Sequence, residues 1–245
     1  RTFWLKSVTK FVCIATYNGA SVITTQLNSI LPQLGKNDEI IISDDHSTDD
    51  TRKIIEALND SRIRIVDGPA KGNPIPNFEN ALREAKGDII FLSDQDDQWL
   101  PGKVKAAVAK LSEGYDCVVT DCIMTDLDYN VLAESFYACN HTKDGKYYNL
   151  LRKNGYLGGC MAFTRRLKER CLPFPAQIPM HDIWIGNVAA FFYKVAFINH
   201  SYSYFRRSGS NVSTSGAKSQ STLGQKIMYR VRMIRFLLQL GMKSM

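Results

Sequence analysis

The feature that most constrains this chain is the alternation, through its first half, of short apolar β-branched runs with segments of helical period. Phe11–Ala15, Glu39–Ser43, Arg62–Val66, Asp88–Leu92 and Cys117–Thr120 are apolar enough to be strands buried on both faces. Between them Ile23, Leu27, Ile30, Leu31 and Leu34 share one helical face, as do Ile54, Ile55 and Leu58, and Pro76–Ala85 and Val104–Leu111 carry similar patterns. Strand, helix, strand repeated in this way implies right-handed crossovers, and so predicts an α/β fold with a mainly parallel sheet flanked by helices. Ligands of such sheets bind beyond the carboxyl ends of the strands, so chemistry is to be sought just after each run.

Those positions are rich in polar groups. The first run is followed by Thr16-Tyr17-Asn18-Gly19, the second by Asp44-Asp45-His46-Ser47-Thr48-Asp49-Asp50, and the fourth by Asp94-Gln95-Asp96-Asp97-Gln98-Trp99. Three strand ends therefore converge on one acidic crevice. Asp94, Asp96 and Asp97 repel one another unless a cation sits among them. Asp-x-Asp on a strand-end turn supplies the hard oxygen ligands that Mn2+ or Mg2+ takes alongside substrate phosphates. The alternative is that Asp96 or Asp97 caps the helix that follows Pro101; Asp49 has a similar alternative as a cap on a helix beginning near Thr51.

At 245 residues the chain suits one sizeable domain with appendages, and its longest uninterrupted apolar run, Val188–Tyr193, is far short of the roughly 20 residues a spanning helix needs. The net charge is +7, but eight Lys/Arg and no acid lie beyond Phe205, which leaves 23 bases against 24 acids before them. A balanced body with a basic tail argues against nucleic acid and for an anionic surface or ligand met by the tail. In that tail Ile227, Val231, Ile234 and Leu238 form a stripe, with Lys226, Arg230, Arg232 and Arg235 elsewhere on the helix. Such a helix either lies on an anionic membrane or packs its stripe on the domain. The six cysteines include no Cys-x-x-Cys pair and read as reduced, mostly buried thiols of a cytoplasmic protein. Farther along, Asp121–Tyr148 shows no clear period, Asn149–Phe163 holds the Gly155/Gly158/Gly159 loop, Ile183–Tyr193 reads as a helix, and Ser208–Ser221 as a linker.

Thr16-Tyr17-Asn18-Gly19, Ile41–Asp49, Phe91–Pro101 and His181-Asp182, in this order and spacing, resemble family-2 glycosyltransferases with the GT-A fold, from about Lys10 to Ser213. Within the family, Ser93–Pro101 and Phe205–Ser213 are similar to bacterial rhamnosyltransferases of surface polysaccharide assembly. The resemblance implies an N-terminal extension over 1–9, a GT-A domain over 10–213, and a linker with a basic amphipathic helix over 214–245. It implies an inverting, Mn2+- or Mg2+-dependent transfer from a dTDP- or UDP-sugar to a saccharide or lipid-linked saccharide acceptor. The cellular location implied is cytoplasmic, and the inner face of the cytoplasmic membrane if the tail binds lipid.

The same resemblance assigns residues. Ala15, Tyr17, Asn18, Asp44, Asp45 and Asp94 fall on the donor-nucleotide positions. Asp45 is matched to the carboxylate that accepts the pyrimidine N3–H, while Asp44 can equally orient the turn. Asp96 matches the direct metal ligand, with Asp94 on the metal or the ribose. Asp182 matches the base that takes the acceptor proton, with a helix N-cap as its alternative. Gly158, Gly159, His181 and Trp184 fall on the acceptor side; His181 either orients Asp182 or is a surface histidine, and Trp184 and Trp99 either stack on sugar or belong to the core. Where relatives carry a histidine before Gly-Ser-Asn this chain has Ser208, so Arg206 and Arg207 become the diphosphate contacts, guanidinium forks being suited to phosphate oxygens. Two other classes compete. A sugar nucleotidyltransferase would carry a basic Gly-rich loop near the first strand, yet Ala15–Ser21 has no Lys or Arg; a basic membrane or nucleic-acid adaptor leaves the ordered motifs unexplained.

Overall fold

The computed structural model describes residues 8–207 and 222–242. One nine-stranded sheet runs through them, in the order β3 (Ile63–Asp67), β2 (Glu39–Asp44), β1 (Lys10–Thr16), β4 (Ile89–Asp94), β8 (Met161–Thr164), β6 (Cys117–Thr125), β9 (Val195–Arg206) and β5 (Gln98–Trp99), with β7 (Val131–Ala133) on the side of β6. The strands β1 to β4 pair in parallel. Antiparallel β8 sits between β4 and β6, so β6 and β9 resume the direction of β1. The sheet is thus mainly parallel, as the alternating pattern predicts.

Its strands are apolar throughout because both faces are covered. In β1, Phe11 and Cys13 face a core built with α3 (Pro74–Glu84) and α8 (His181–Phe192), while Val12 and Ile14 face one built with α1 (Ile23–Ile30), α2 (Thr51–Ala57) and α4 (Lys103–Ser112). At roughly 1.5–3 kcal/mol for each fully buried Val, Leu, Ile or Phe, these two interfaces dominate the stability of the layers.

Boundaries depart from the pattern where a cap or proline intervenes. The face of α1 was expected to reach Leu34, but Pro32 lacks the amide that an α-turn would use and the chain tightens into a 3₁₀ turn over Leu31–Gln33. Helix α3 starts ahead of Pro76, because Asn73 caps it by accepting the Ile75 amide at 2.9 Å and Pro74 suits the first turn.

The segment without a period, 121–148, folds into the end of β6, then β7, α5 (Phe136–Asn140) and α6 (Lys146–Leu151). A buried carboxylate organises it: Asp121 accepts the Tyr137 amide at 3.0 Å and the Ser135 hydroxyl, and Ser135 in turn caps α5. α7 (Arg165–Cys171) follows β8, and α9 (Leu223–Met242) packs on α6 and α8. The face that α9 buries is Met233 and Leu237 with Phe236 and Leu240 beside them, whereas Ile227, Val231, Ile234 and Leu238 stay exposed.

None of the six cysteines forms a disulfide; five are buried and Cys139 is exposed. Among the described residues no helix is long and apolar enough to cross a membrane.

Candidate active site

Parallel pairing brings the strand ends into line: Ala15 lies opposite Asp94 and Thr16 opposite Asp44. Strand β1 is where the order turns, with β2 and β3 on one side and β4 on the other, and a switch point of this kind opens a crevice. A cavity of about 380 Å³ occupies it. Its walls are Ala15, Thr16 and Tyr17 at the end of β1, Asp45 after β2, Asp94, Gln95 and Asp96 at the end of β4, Gly72, Asn73, Pro74, Asn77 and Phe78 around the start of α3, Leu157 and Gly158, Met180 to Asp182 at the start of α8, and Phe205 of β9.

The first turn is tied to the fourth strand by Gln95, whose Oε1 accepts the Tyr17 amide at 3.0 Å while its Nε2 donates to the Tyr17 carbonyl at 3.2 Å. A Cβ on Gly19 would meet Gln95 Oε1 at 2.5 Å, so a larger residue there would push this side chain out of its bonds to Tyr17. Asn18 and Asp44 do not line the cavity. Asn18 accepts the Thr48 amide at 2.8 Å, and buried Asp44 accepts the Thr16 hydroxyl at 3.1 Å and the Ser47 amide at 3.2 Å. Both lace the turns together, which for Asp44 is the alternative of orienting the turn. Asp49 accepts the Thr51 amide at 3.0 Å and the Ala20 amide at 3.1 Å, but the N-cap of α2 is Asp50, so the cap alternative is not the geometry adopted there.

Asp45 faces the cavity, but its carboxylate also accepts the amides of Gly72 at 2.7 Å and Lys71 at 3.3 Å, folding the loop after β3 across the crevice. That loop, with Asn73, Pro74, Asn77 and Phe78, supplies a whole wall that the sequence reading missed. Its signal was the Gly- and Pro-rich stretch from Gly68 to Pro76 after a strand end.

The three clustered aspartates separate. Asp94 and Asp96 line the cavity, while Asp97 is buried behind it, with Oδ2 only 2.3 Å from where a Cβ on Gly159 would lie. Burial first, then the charges of Asp96 and Asp182, push the Asp94 carboxyl up to about 7. Burial raises Asp96 too, and it raises Asp97 well above the carboxylate range with help from Asp94 and Asp96. The counter-charge is Lys103, a buried ammonium that donates to the Gly159 carbonyl and sits 4.7 Å above the Trp99 ring. Lys103 was not anticipated, although it shares the i, i+4, i+8 face of Ala107 and Leu111.

Among the described residues no group of three or more His, Cys, Asp and Glu side chains converges as a metal site. Two hard carboxylates facing the cavity, with burial opposing their charge, nevertheless suit Mn2+ or Mg2+ completed by a donor diphosphate.

At the opposite wall Asp182 stands in the first turn of α8, whose N-cap is Met180. Asp182 Oδ2 accepts the Gly158 amide at 3.0 Å and Oδ1 the Ile183 amide at 2.7 Å, and burial raises the carboxyl to about 6. The N-cap alternative is therefore not the geometry adopted. His181 is 4% exposed, so it is not a surface histidine. Its ring stacks on Phe78 with centroids 4.0 Å apart, burial lowers it to about 3, and neither ring nitrogen has a hydrogen-bond partner. Gly158 leaves room for it: a Cβ there would lie 2.9 Å from His181 Nε2.

Two expectations need correction. Trp184 is not on the acceptor side: it is 1% exposed, its indole donates to the Cys171 carbonyl at 2.9 Å, and its ring packs against Phe236 of α9. Two residues along a helix turn a side chain by about 200°, so Trp184 points into the core when Asp182 points into the crevice. Trp99 is likewise buried, 5.5 Å from the Phe91 ring. At the end of β9, Arg206 lies 5.0 Å over the Tyr129 ring, and its charge opposes the upward shift of Asp96. The Arg207 amide donates to the Thr125 carbonyl at 2.8 Å. Neither arginine lines the cavity, and Ser208 lies outside the described residues.

A doubly wound sheet whose switch point opens on paired aspartates defines the class: the GT-A fold of sugar-transferring enzymes. The profile of glycosyl transferase family 2 matches residues 11–172, and the chain belongs to that family. Its relatives include a GalNAc(5)-diNAcBac-PP-undecaprenol beta-1,3-glucosyltransferase of Campylobacter jejuni, 34% identical over 116 residues, or 46% of this chain and 38% of the relative. The dTDP-rhamnosyl transferase RfbG of Shigella flexneri is 38% identical over 113 residues, covering 43% of this chain and 37% of RfbG. The chain thus spans under two fifths of the length of these curated relatives. Among solved structures, S. aureus TarS 1–349 in complex with UDP-GlcNAc superposes with a TM-score of 0.67 at 18% identity, over 95% of this chain and 66% of that one. The mannosyltransferase PcManGT from Pyrobaculum calidifontis, in complex with GDP-Man and Mn2+, gives 0.65 at 20% identity, over 84% and 59%.

Proposed function

We propose that this chain is an inverting glycosyltransferase that moves a sugar from a pyrimidine nucleotide-diphospho-sugar, dTDP-rhamnose or a UDP-hexose, to a saccharide carried on a lipid diphosphate, in the synthesis of a cell-surface polysaccharide. The observation that carries this reading is the buried Asp182 carboxylate, raised to about 6, facing the same cavity as Asp94 and Asp96. A carboxylate so tuned is ionised at neutral pH and still basic enough to take a hydroxyl proton.

The donor base lies along Ala15 and Tyr17, with its N3–H on a remaining lone pair of Asp45. Uracil and thymine offer the same N–H, so this contact selects pyrimidines without separating UDP from dTDP. Asp96 and Asp94 would hold Mn2+ or Mg2+, whose Lewis acidity neutralises the departing diphosphate. Arg206, electrostatically linked to Asp96, adds positive charge on that side, and Arg207 follows it in sequence. Asp182 accepts the acceptor hydroxyl proton as the oxygen attacks the anomeric carbon opposite the leaving group, which inverts the configuration. Gly158 and His181 line the acceptor side. A lipid-linked acceptor is supported by the Campylobacter relative, whose name specifies an undecaprenol diphosphate saccharide.

A panel of UDP-, dTDP- and GDP-sugars screened with Mn2+ and Mg2+ for protection against melting tests the reading, because a true donor binds only the folded state. The expected result is protection by one UDP- or dTDP-sugar that requires the metal. Protection by purine nucleotides alone, or by none of the panel, would overturn it.

A further inference from the structure

We infer that the outer face of α9, flanked by the bases of α6, is a docking surface for an anionic lipid bilayer. The helix has two apolar faces. Met233 and Leu237 are spent on the contact with the domain, and the second stripe is left in solvent: Ile227 is 52% exposed, Val231 59% and Leu238 64%, with Ile234 between them. The stripe runs for about 16 Å along the helix, at a rise of roughly 1.5 Å per residue. A contiguous apolar strip of this length on a surface marks an interaction site rather than chance exposure.

Charge identifies the occupant. α9 carries Lys226, Arg230, Arg232 and Arg235 and no acid. Arg230 donates to the Arg152 carbonyl at 3.1 Å, joining α9 to the end of α6, where Arg152 and Lys153 add positive charge; Lys146 begins that helix, two residues after the acid Asp144. A second copy would bring the same bases face to face across a two-fold axis, which repels. An anionic membrane accepts both features, with the apolar stripe entering the headgroup boundary and the bases meeting lipid phosphates.

The surface is linked to the crevice by two routes: α6 leads through residues 152–156 to Leu157 and Gly158, and α9 packs on α8, whose first turn holds Asp182. Docking by α9 would therefore bring the crevice close to lipid-linked material. The inference uses none of the catalytic assignments and can fail independently of them.

The test is co-sedimentation of the chain with vesicles of phosphatidylcholine mixed with phosphatidylglycerol, and with vesicles of phosphatidylcholine alone. Binding to the anionic vesicles should exceed binding to neutral ones by about tenfold or more, and should fall as salt is raised. The combined substitutions Ile227→Ser, Val231→Ser and Leu238→Ser should abolish it with unchanged melting temperature and nucleotide-sugar protection. Lys226→Gln with Arg235→Gln should weaken it several-fold. Equal binding to both vesicles, no binding, or full binding by the triple variant would overturn the inference. So would a lower melting temperature of the triple variant, which would mean that the chain itself covers the stripe, or a dimer in sedimentation that the triple variant dissociates.

Discussion

Asp182 Oδ2 accepts the backbone N–H of Gly158 at 3.0 Å, so the carboxylate at the start of α8 and the glycine loop ahead of β8 form one unit across the sheet. Two backbone donors, Gly158 on Oδ2 and Ile183 on Oδ1, and the burial of its surroundings fix where this acid points and how readily it ionises.

Asp182→Asn keeps an oxygen for the Gly158 amide, so the variant should fold and bind donor with little change while kcat falls by about 10²–10⁴-fold. In the wild type kcat should fall as pH drops through about 6, because a base works only when deprotonated and Asp182 protonates there. Single-turnover kinetics over pH check both; turnover of the variant within a few-fold of wild type would remove Asp182 from the chemistry.

Asp96→Ala should eliminate the stimulation of turnover by Mn2+ or Mg2+. Without metal its melting temperature should match or exceed that of wild type, since burial opposes the charge of this group and that charge in turn raises Asp94 and Asp97. A metal titration of activity beside a melting curve decides it, and an unaltered metal response would show that the ion is held elsewhere.

For Asp45→Ala, calorimetry should record nucleotide binding weaker by about 1–3 kcal/mol, equally for UDP and dTDP. The Gly72 and Lys71 amides also lose their acceptor, so hydrogen exchange at those two positions should quicken in the free protein. Unchanged affinity combined with faster exchange would leave Asp45 a purely structural role.

Lys103→Met should destabilise the fold more at pH 8 than at pH 5. Asp94, raised to about 7, is largely protonated at the lower pH and needs no counter-charge, whereas above 7 its ionised form loses the buried ammonium beside it. Melting curves at the two values test the sign, and an equal deficit at both would show that Lys103 matters only through its contacts with Gly159 and Trp99.

The strand-end aspartates show how much of the site was legible. A motif such as Asp94-Gln95-Asp96-Asp97 declares that carboxylates gather after a buried strand, and the crevice lies there. It does not say which of them face a ligand. Neighbours in an extended chain point in opposite directions, so Asp45 reaches the cavity while Asp44 turns into the Thr16–Ser47 turn. Lys103 went unread because a lysine at the start of a helix ordinarily faces solvent, and only the acids packed behind Gly159 make its burial tolerable.

By itself, the sequence determined the succession of strands and helices through the first half of the chain, the family and the strand ends that line the crevice, because apolar periodicity and strand-end motifs are local properties of the chain. Tertiary structure alone decided that Asp182 faces the cavity while Trp184 faces the core, and that α9 docks through Met233 and Leu237 rather than through the stripe of Ile227, Val231, Ile234 and Leu238. A helix with two apolar faces satisfies its own hydrogen bonds whichever face packs. The choice belongs to the surface it meets, here α6 and α8, and that surface is assembled from residues distant in the chain.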